Sequence, residues 1–186
     1  MIEYLKEHKI LSPYQYGFRK LHSTEFATLA FADTIRRNID NGLMTGTVFL
    51  DFKKAFDSVD HSLLLEKLCN LGILDREYEW FVNYLNGRKQ VVDYQGMLSA
   101  AKSVDVGVPQ GSILGPFLFV LYVNDLPNAT RHCSVLMYDA STIENELNNE
   151  IISLGAWLRD NRLFLNTVKT ESILIGTWAK VSKVIK

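Results

Sequence analysis

The chain has 186 residues, 47% of them hydrophobic and 22% charged, and a formal net charge of −1. That length suits one well-buried core and is short for two ordinary domains, so a single domain over residues 1–186 is expected. The near-zero charge gives no global pull towards nucleic acid or membrane, so any partner must be argued from local features. Cys69 and Cys133 lack C-x-x-C spacing and a clustered histidine, which reads as two buried thiols of an intracellular protein rather than a zinc site. The start, M-I-E-Y-L-K-E-H-K, is too polar for a signal peptide. The longest apolar stretch, residues 113–123, contains Gly115 and Pro116 and is too short to cross a bilayer. An intracellular location, nucleus or cytoplasm, without membrane contact follows as the expectation.

In chain order, Ser23 and Thr24 can cap a helix that carries Phe26, Leu29, Ala30 and Ile35 and stops near Gly42. Residues 47–51 form an apolar strand ending on Asp51. Leu64, Leu65 and Leu68 mark a second helix ending at Gly72, and Tyr78, Phe81, Val82 and Leu85 a third ending at Gly87. Residues 89–95 and 103–108 read as extended segments around the turn-forming Gly96. A helix from about Gly111 to Leu126 follows, then a short strand over residues 133–138. Ser141-Thr142-Ile143-Glu144 is a capping-box pattern, and Ile143, Leu147, Ile151, Leu154 and Leu158 continue at helical spacing to about Asp160. Strands near Phe164 and at 173–175 close the series. Strands and helices interleave without a strict βαβ rhythm, which favours an α+β fold with an antiparallel sheet covered by helices on one face.

Chemistry concentrates in four segments. A carboxylate at a strand end, as at Asp51, lies where core meets water and can hold a hard divalent cation. Two-metal phosphoryl chemistry needs further carboxylates around ions roughly 3.5–4 Å apart, and Asp139 after Tyr138 is the candidate partner. Gln15-Tyr16-Gly17-Phe18-Arg19-Lys20 puts two cations ahead of a helix N-terminus, either a phosphate-favouring place or a solvated basic turn. Phe56 is a core aromatic or a flat wall beside a sugar. Gly107-Val108-Pro109-Gln110-Gly111-Ser112 is a loop whose N–H groups and Gln110 amide could meet a ligand, or an ordinary glycine-rich turn. Leu165-Asn166 with Lys169-Thr170 places a cation at a strand turn.

In this order, Q-Y-G-F-R-x-x-x-S-T, F-L-D-F-K-K-A-F-D-S-V-D-H, G-V-P-Q-G-S-I-L-G-P-F-L-F and W-L-x-x-N-R-L-F-L-N-x-x-K-T closely resemble the reverse transcriptase domain of non-LTR retrotransposons of the jockey and CR1 kind. The resemblance runs from about Leu11 to Gly176. It implies partial fingers over about residues 1–45, a polymerase palm over about 46–176 and a tail at 177–186. It also implies an RNA-directed DNA polymerase using two magnesium ions, an RNA template, a DNA primer and a deoxynucleoside triphosphate. By that likeness Asp51 matches the first catalytic aspartate, holding both ions with help from the carbonyl of Phe52, and Phe56 matches the residue excluding a ribose 2′-hydroxyl. Arg19 matches a fingers residue at the incoming triphosphate, Gln110 and Gly111 match the loop at the nucleotide, and Lys169 matches the lysine near the leaving pyrophosphate.

One motif departs from the family. Where it presents Y/F-A-D-D at a hairpin tip, Met137-Tyr138 runs into Asp139-Ala140-Ser141, and about ten residues are missing before Trp157. Asp139 stands as the remnant second metal ligand or as a pre-helix aspartate. Neither the usual preceding endonuclease nor room for a thumb is recognisable, and the cations are scattered along the chain. Two readings follow: a magnesium-dependent polymerase with Asp51 and Asp139 as ligands, or a non-catalytic relic that binds nucleic acid weakly.

Overall fold

The computed structural model describes residues 2–130 and 140–181. Helices and short antiparallel strand pairs alternate along it, so the α+β expectation holds at that level. The chain forms two compact units, each assembled from separate segments. One comprises Met1–Leu11, Lys54–Asn124 and Asn161–Leu163, and the other Ser12–Lys53, Asp125–Asp160 and Phe164–Lys186.

The first unit holds α1 (Ile2–Glu7), a 3₁₀ turn over Ala55–Ser58, α3 (His61–Asn70), α4 (Asp75–Leu85) and α5 (Leu114–Tyr122). The helix α3 starts where the Asp60 side chain accepts the Leu63 N–H at 3.0 Å. It ends where the chain turns into Gly72 at φ 82°. Its Leu64 and Leu68 recur at helical spacing and are fully buried, facing α4 and α5. Burying each contributes about 1.5–3 kcal/mol.

Between α4 and α5 runs a ribbon of β2 (Lys89–Gln90) with β5 (Lys102–Ser103) and β3 (Asp93–Tyr94) with β4 (Met97–Leu98). Gln95 and Gly96 both take positive φ, 51° and 81°, as the tight turn of a two-residue hairpin requires. The extended segment expected at 103–108 joins the ribbon only at its start. Val106 instead bridges Asp60 on the way to the 107–111 loop. The helix expected from Gly111 begins later, at Leu114, because Gly111 adopts φ 83° and cannot lie in a helix. It also stops earlier, at Tyr122, and a separate 3₁₀ turn covers Leu126–Ala129. Cys69, expected to be buried, lies on the exposed face of α3.

The second unit holds α2 (Thr24–Asp40), β1 (Thr45–Phe49), α6 (Ala140–Asp160), β6 (Glu171–Ile175) and α7 (Trp178–Val181). Ser23 caps α2 as expected, its hydroxyl accepting the Phe26 N–H at 3.3 Å. Strands β1 and β6 pair antiparallel from Thr45↔Ile175 to Phe49↔Glu171. The helix α6 packs on β1 at Gly46, where an added Cβ would lie 2.7 Å from Ile143 and 2.8 Å from Leu147. A glycine in mid-strand here admits a helix.

The helix α6 already includes Ala140, so the capping-box residues lie inside the helix rather than ahead of it. Of the expected apolar stripe, Ile143, Leu154 and Leu158 are buried and Ile151 is exposed. The expected strand at 133–138, with Cys133 and Tyr138, and the candidate ligand Asp139 lie outside the described residues.

Candidate active site

Asp51 belongs to the second unit and stands two residues beyond the end of β1. The pairing there shifts from Phe49↔Glu171 to an isolated bridge Phe52↔Leu165. Two residues, Leu50 and Asp51, therefore oppose five, residues 166–170, and the excess folds into a turn. That turn is built on the Asn166 carbonyl, which accepts the Lys169 N–H at 3.0 Å, the Thr170 N–H at 2.9 Å and the Thr170 hydroxyl at 3.0 Å.

Asn166 also fixes Asp51 twice. Its backbone N–H donates to the Asp51 carbonyl at 2.7 Å, and its Nδ2 donates to the Asp51 carboxylate Oδ2 at 3.0 Å. The Lys53 N–H donates to the Phe164 carbonyl at 2.7 Å, so the Asp51–Phe52 segment is clamped on both sides. Asp51 keeps one carboxylate oxygen outside this pairing and is half exposed. Lys169, on the same turn, is exposed. Arg19 belongs to a separate loop of this unit, where its Nη1 donates to the Ser12 carbonyl at 3.1 Å.

Phe56, Gln110 and Gly111 belong to the first unit. Phe56 lies in the 3₁₀ turn with its ring 5.0 Å from that of Phe119 on α5. The 107–111 loop is bolted to this turn by the Gly107 N–H on the Val59 carbonyl at 2.7 Å and the Val108 N–H on the Phe56 carbonyl at 2.8 Å. Gly107 has φ 89°, and a Cβ there would meet the Asp57 backbone at 3.1 Å, so glycine is required twice over. The Gln110 Nε2 donates to Asp57 Oδ1 at 3.0 Å. Gln110 and Gly111 are exposed. At the far end Ser112 links Pro109 to the start of α5, donating to the Pro109 carbonyl and accepting the Gly115 N–H, both at 2.8 Å.

Beneath the loop the buried His61 places Nε2 2.8 Å from the Gly107 carbonyl. Asp60 pairs with Arg162. Burial would raise the Asp60 pKa, but the Leu63 N–H, the Arg162 guanidinium and the Ser62 N–H outweigh it and hold the carboxyl below its ordinary 3.8. Asn166 was read as part of the strand turn, but its bonds to Asp51 were not. The contacts of Asp57 with Gln110 and of His61 with Gly107 join distant positions that no local pattern announces. Asp60, by contrast, is an aspartate directly ahead of an apolar helix and gives a local N-cap signal that could have been read.

A pair of divalent ions needs several converging carboxylates. Among the described residues no three of His, Cys, Asp and Glu come together to hold a metal, and the Asp51 carboxylate accepts from the Asn166 amide. The described donor set does not fit two metals.

The sequence profile of the family Reverse transcriptase (RNA-dependent DNA polymerase) matches residues 1–184. A probable RNA-directed DNA polymerase from transposon BS of Drosophila melanogaster is 34% identical over 184 residues, covering 89% of this chain and 20% of that protein. The RNA-directed DNA polymerases from mobile element jockey of Drosophila melanogaster and Drosophila funebris are 33% and 32% identical, over 91% and 64% of this chain and 17% and 13% of their own lengths. The chain thus spans about a fifth or less of these relatives. The likeness to non-LTR reverse transcriptases read from the four motifs is the likeness these proteins carry. With the profile reaching from the first residue almost to the last and the motifs in family order, the chain belongs to the reverse transcriptase family.

Proposed function

We propose that the chain is the palm and partial fingers of a non-LTR retrotransposon reverse transcriptase, an RNA-directed DNA polymerase by descent that is inactive as it stands. Residues about 1–45 are the partial fingers, 46–176 the palm and 177–186 a tail. The observation that carries the inactive reading is the start of α6. The chain is helical from Ala140 onward, so Asp139 is followed at once by helix where the family pattern has two aspartates and a returning strand.

In this reading Asp51 is the first metal ligand and Asp139 the remnant of the second, with the Phe52 carbonyl beside Asp51. Magnesium, where such a domain binds it, supplies charge neutralisation at the reacting phosphate. Two such ions bring four positive charges, and Asp51 with Asp139 returns only two, so the ions are held weakly. With the metals in place, Lys169 would neutralise the leaving pyrophosphate, Arg19 would pair with the incoming triphosphate, Phe56 would exclude the ribose 2′-hydroxyl, and Gln110 with Gly111 would touch the nucleotide. Phosphoryl transfer depends mostly on such positioning and neutralisation, so loss of the metals removes catalysis while the fold persists. What remains is weak binding of RNA template, DNA primer and nucleotide.

The test is primer extension on an RNA template with magnesium and deoxynucleotides. The chain should yield no product above an Asp51→Ala control, and a family-type Ala-Asp-Asp hairpin inserted after Tyr138 should be necessary for any gain. Magnesium-dependent extension by the unaltered chain, lost in Asp51→Ala, would overturn the inactive reading and make Asp139 a working ligand.

A further inference from the structure

The first unit carries a ladder of side chains, exposed at its ends and half-buried at Tyr84 and Arg88, that none of the roles above uses. On α4, Trp80 and Tyr84 are one helical turn apart and stack with ring centroids 5.3 Å apart and planes 9° from parallel. The Arg88 guanidinium lies 5.3 Å from the Tyr84 centroid, on from the helix end. Gln90 and Lys102 are register partners on the ribbon, hence on one face, and Arg88 precedes Gln90 by two residues and continues that face. Two parallel rings, a guanidinium, an amide and an ammonium therefore follow one another. Trp80 is 51% exposed, and Gln90 and Lys102 are exposed.

From Trp80 to Val104 the charged residues are Arg88, Lys89, Asp93 and Lys102, with Glu79 and Asp105 flanking the stretch, so the cations cluster on the ribbon and its approach. Asp93 is turned to local work, its Oδ1 accepting the Gly96 N–H at 3.0 Å. A partner suited to this surface brings a flat π-face for the indole and negative charge at intervals for the cations. Trp80 also packs edge-on against the buried Phe81, at 5.1 Å between centroids, which anchors it to the core and leaves about half of it in solvent.

We infer that Trp80, Tyr84, Arg88, Gln90 and Lys102 form a binding surface for single-stranded nucleic acid, with a base stacked on Trp80 and the backbone running over Arg88 and Lys102. This rests on the nucleic-acid-binding part of the reading above and assigns that binding to named residues.

The test measures anisotropy of a labelled 20-nucleotide oligouridylate, and of an abasic oligonucleotide of equal length, with the full chain. Trp80→Leu keeps an apolar side chain on α4 and should weaken oligouridylate binding roughly tenfold, as loss of one stacked base predicts. It should leave abasic binding unchanged. Arg88→Gln and Lys102→Gln should weaken both probes and flatten the salt dependence. Trp80→Phe should restore most of the affinity, and matching circular dichroism melts establish that the variants fold. Equal affinity of Trp80→Leu and the parent, or no binding by the parent, overturns the proposal. Self-association that Trp80→Leu abolishes while oligouridylate binding stays constant would assign the face to a second copy instead. None of these outcomes bears on primer extension by the hairpin-restored chain, so the two readings fail separately.

Discussion

The 107–111 loop and the 166–170 turn both present polar residues to solvent, and they are held by opposite means. The loop is tied inward: Gly107 closes on the Asp57 backbone, its carbonyl meets the buried His61, and Asp60 next to that histidine is buried against Arg162. The turn is tied to itself, through three donors on the Asn166 carbonyl and an amide reaching a half-exposed carboxylate. In the first region the loop that carries Gln110 is fixed by groups buried in the core. In the second a half-exposed carboxylate is fixed by a surface turn and one amide reaching across two strands.

Substitutions sharpen this contrast. Gly107→Ala should have the largest effect, lowering unfolding free energy by about 2–3 kcal/mol, because alanine must adopt positive φ against the Asp57 backbone. A urea midpoint within error of the parent would show that the loop is not tied inward.

Asp60→Asn keeps a capping side chain and removes the charge, so at pH 7 it should cost about 1 kcal/mol, modest because Arg162 is largely exposed. The folded-state pKa of Asp60 lies below its ordinary 3.8, so its charged-state contribution is complete above that value and fades as pH falls through the lower folded one. Urea midpoints of parent and variant should therefore converge as pH falls below 3.8. A gap that stays constant with pH would assign the whole effect to shape rather than charge.

On the other side, Asn166→Ala should cost about 0.5–1 kcal/mol, one side-chain hydrogen bond, since the carbonyl that builds the turn remains. Asp51→Asn should be smallest, within about 0.5 kcal/mol of the parent, because an amide oxygen can still accept from Asn166 Nδ2. A loss above 2 kcal/mol in either variant would erase the contrast between the two regions.

Punctuation residues made much of the fold readable. Ser23, Gly42, Gly72 and Gly87 each bound a helix because a cap or a left-handed residue acts locally, and local physics is what a single sequence exposes. The same locality misled at Ser141, where a serine three residues ahead of a glutamate suits a helix interior as well as a start. It misled again at 103–108, where alternating valines imitate one strand, although Ser103 and Val104 bond to the ribbon and Val106 bridges Asp60 instead. Asp51 and Lys169 were legible as strand-end and turn residues, but the amide linking their segments was not, since it joins positions 115 residues apart. Cys69 showed the remaining gap: apolar sequence neighbours on a helix say nothing of which side faces water.

The contact at Gly46 bears on where the chain could accept an inserted hairpin. Ile143 and Leu147 occupy the space a side chain would take there, so α6 has a keyed seat on β1 rather than a smooth one. Residues inserted after Tyr138 enter upstream of the key and leave the helix seated. The same insertion placed after Ile143 would turn a different face to the glycine and unseat it.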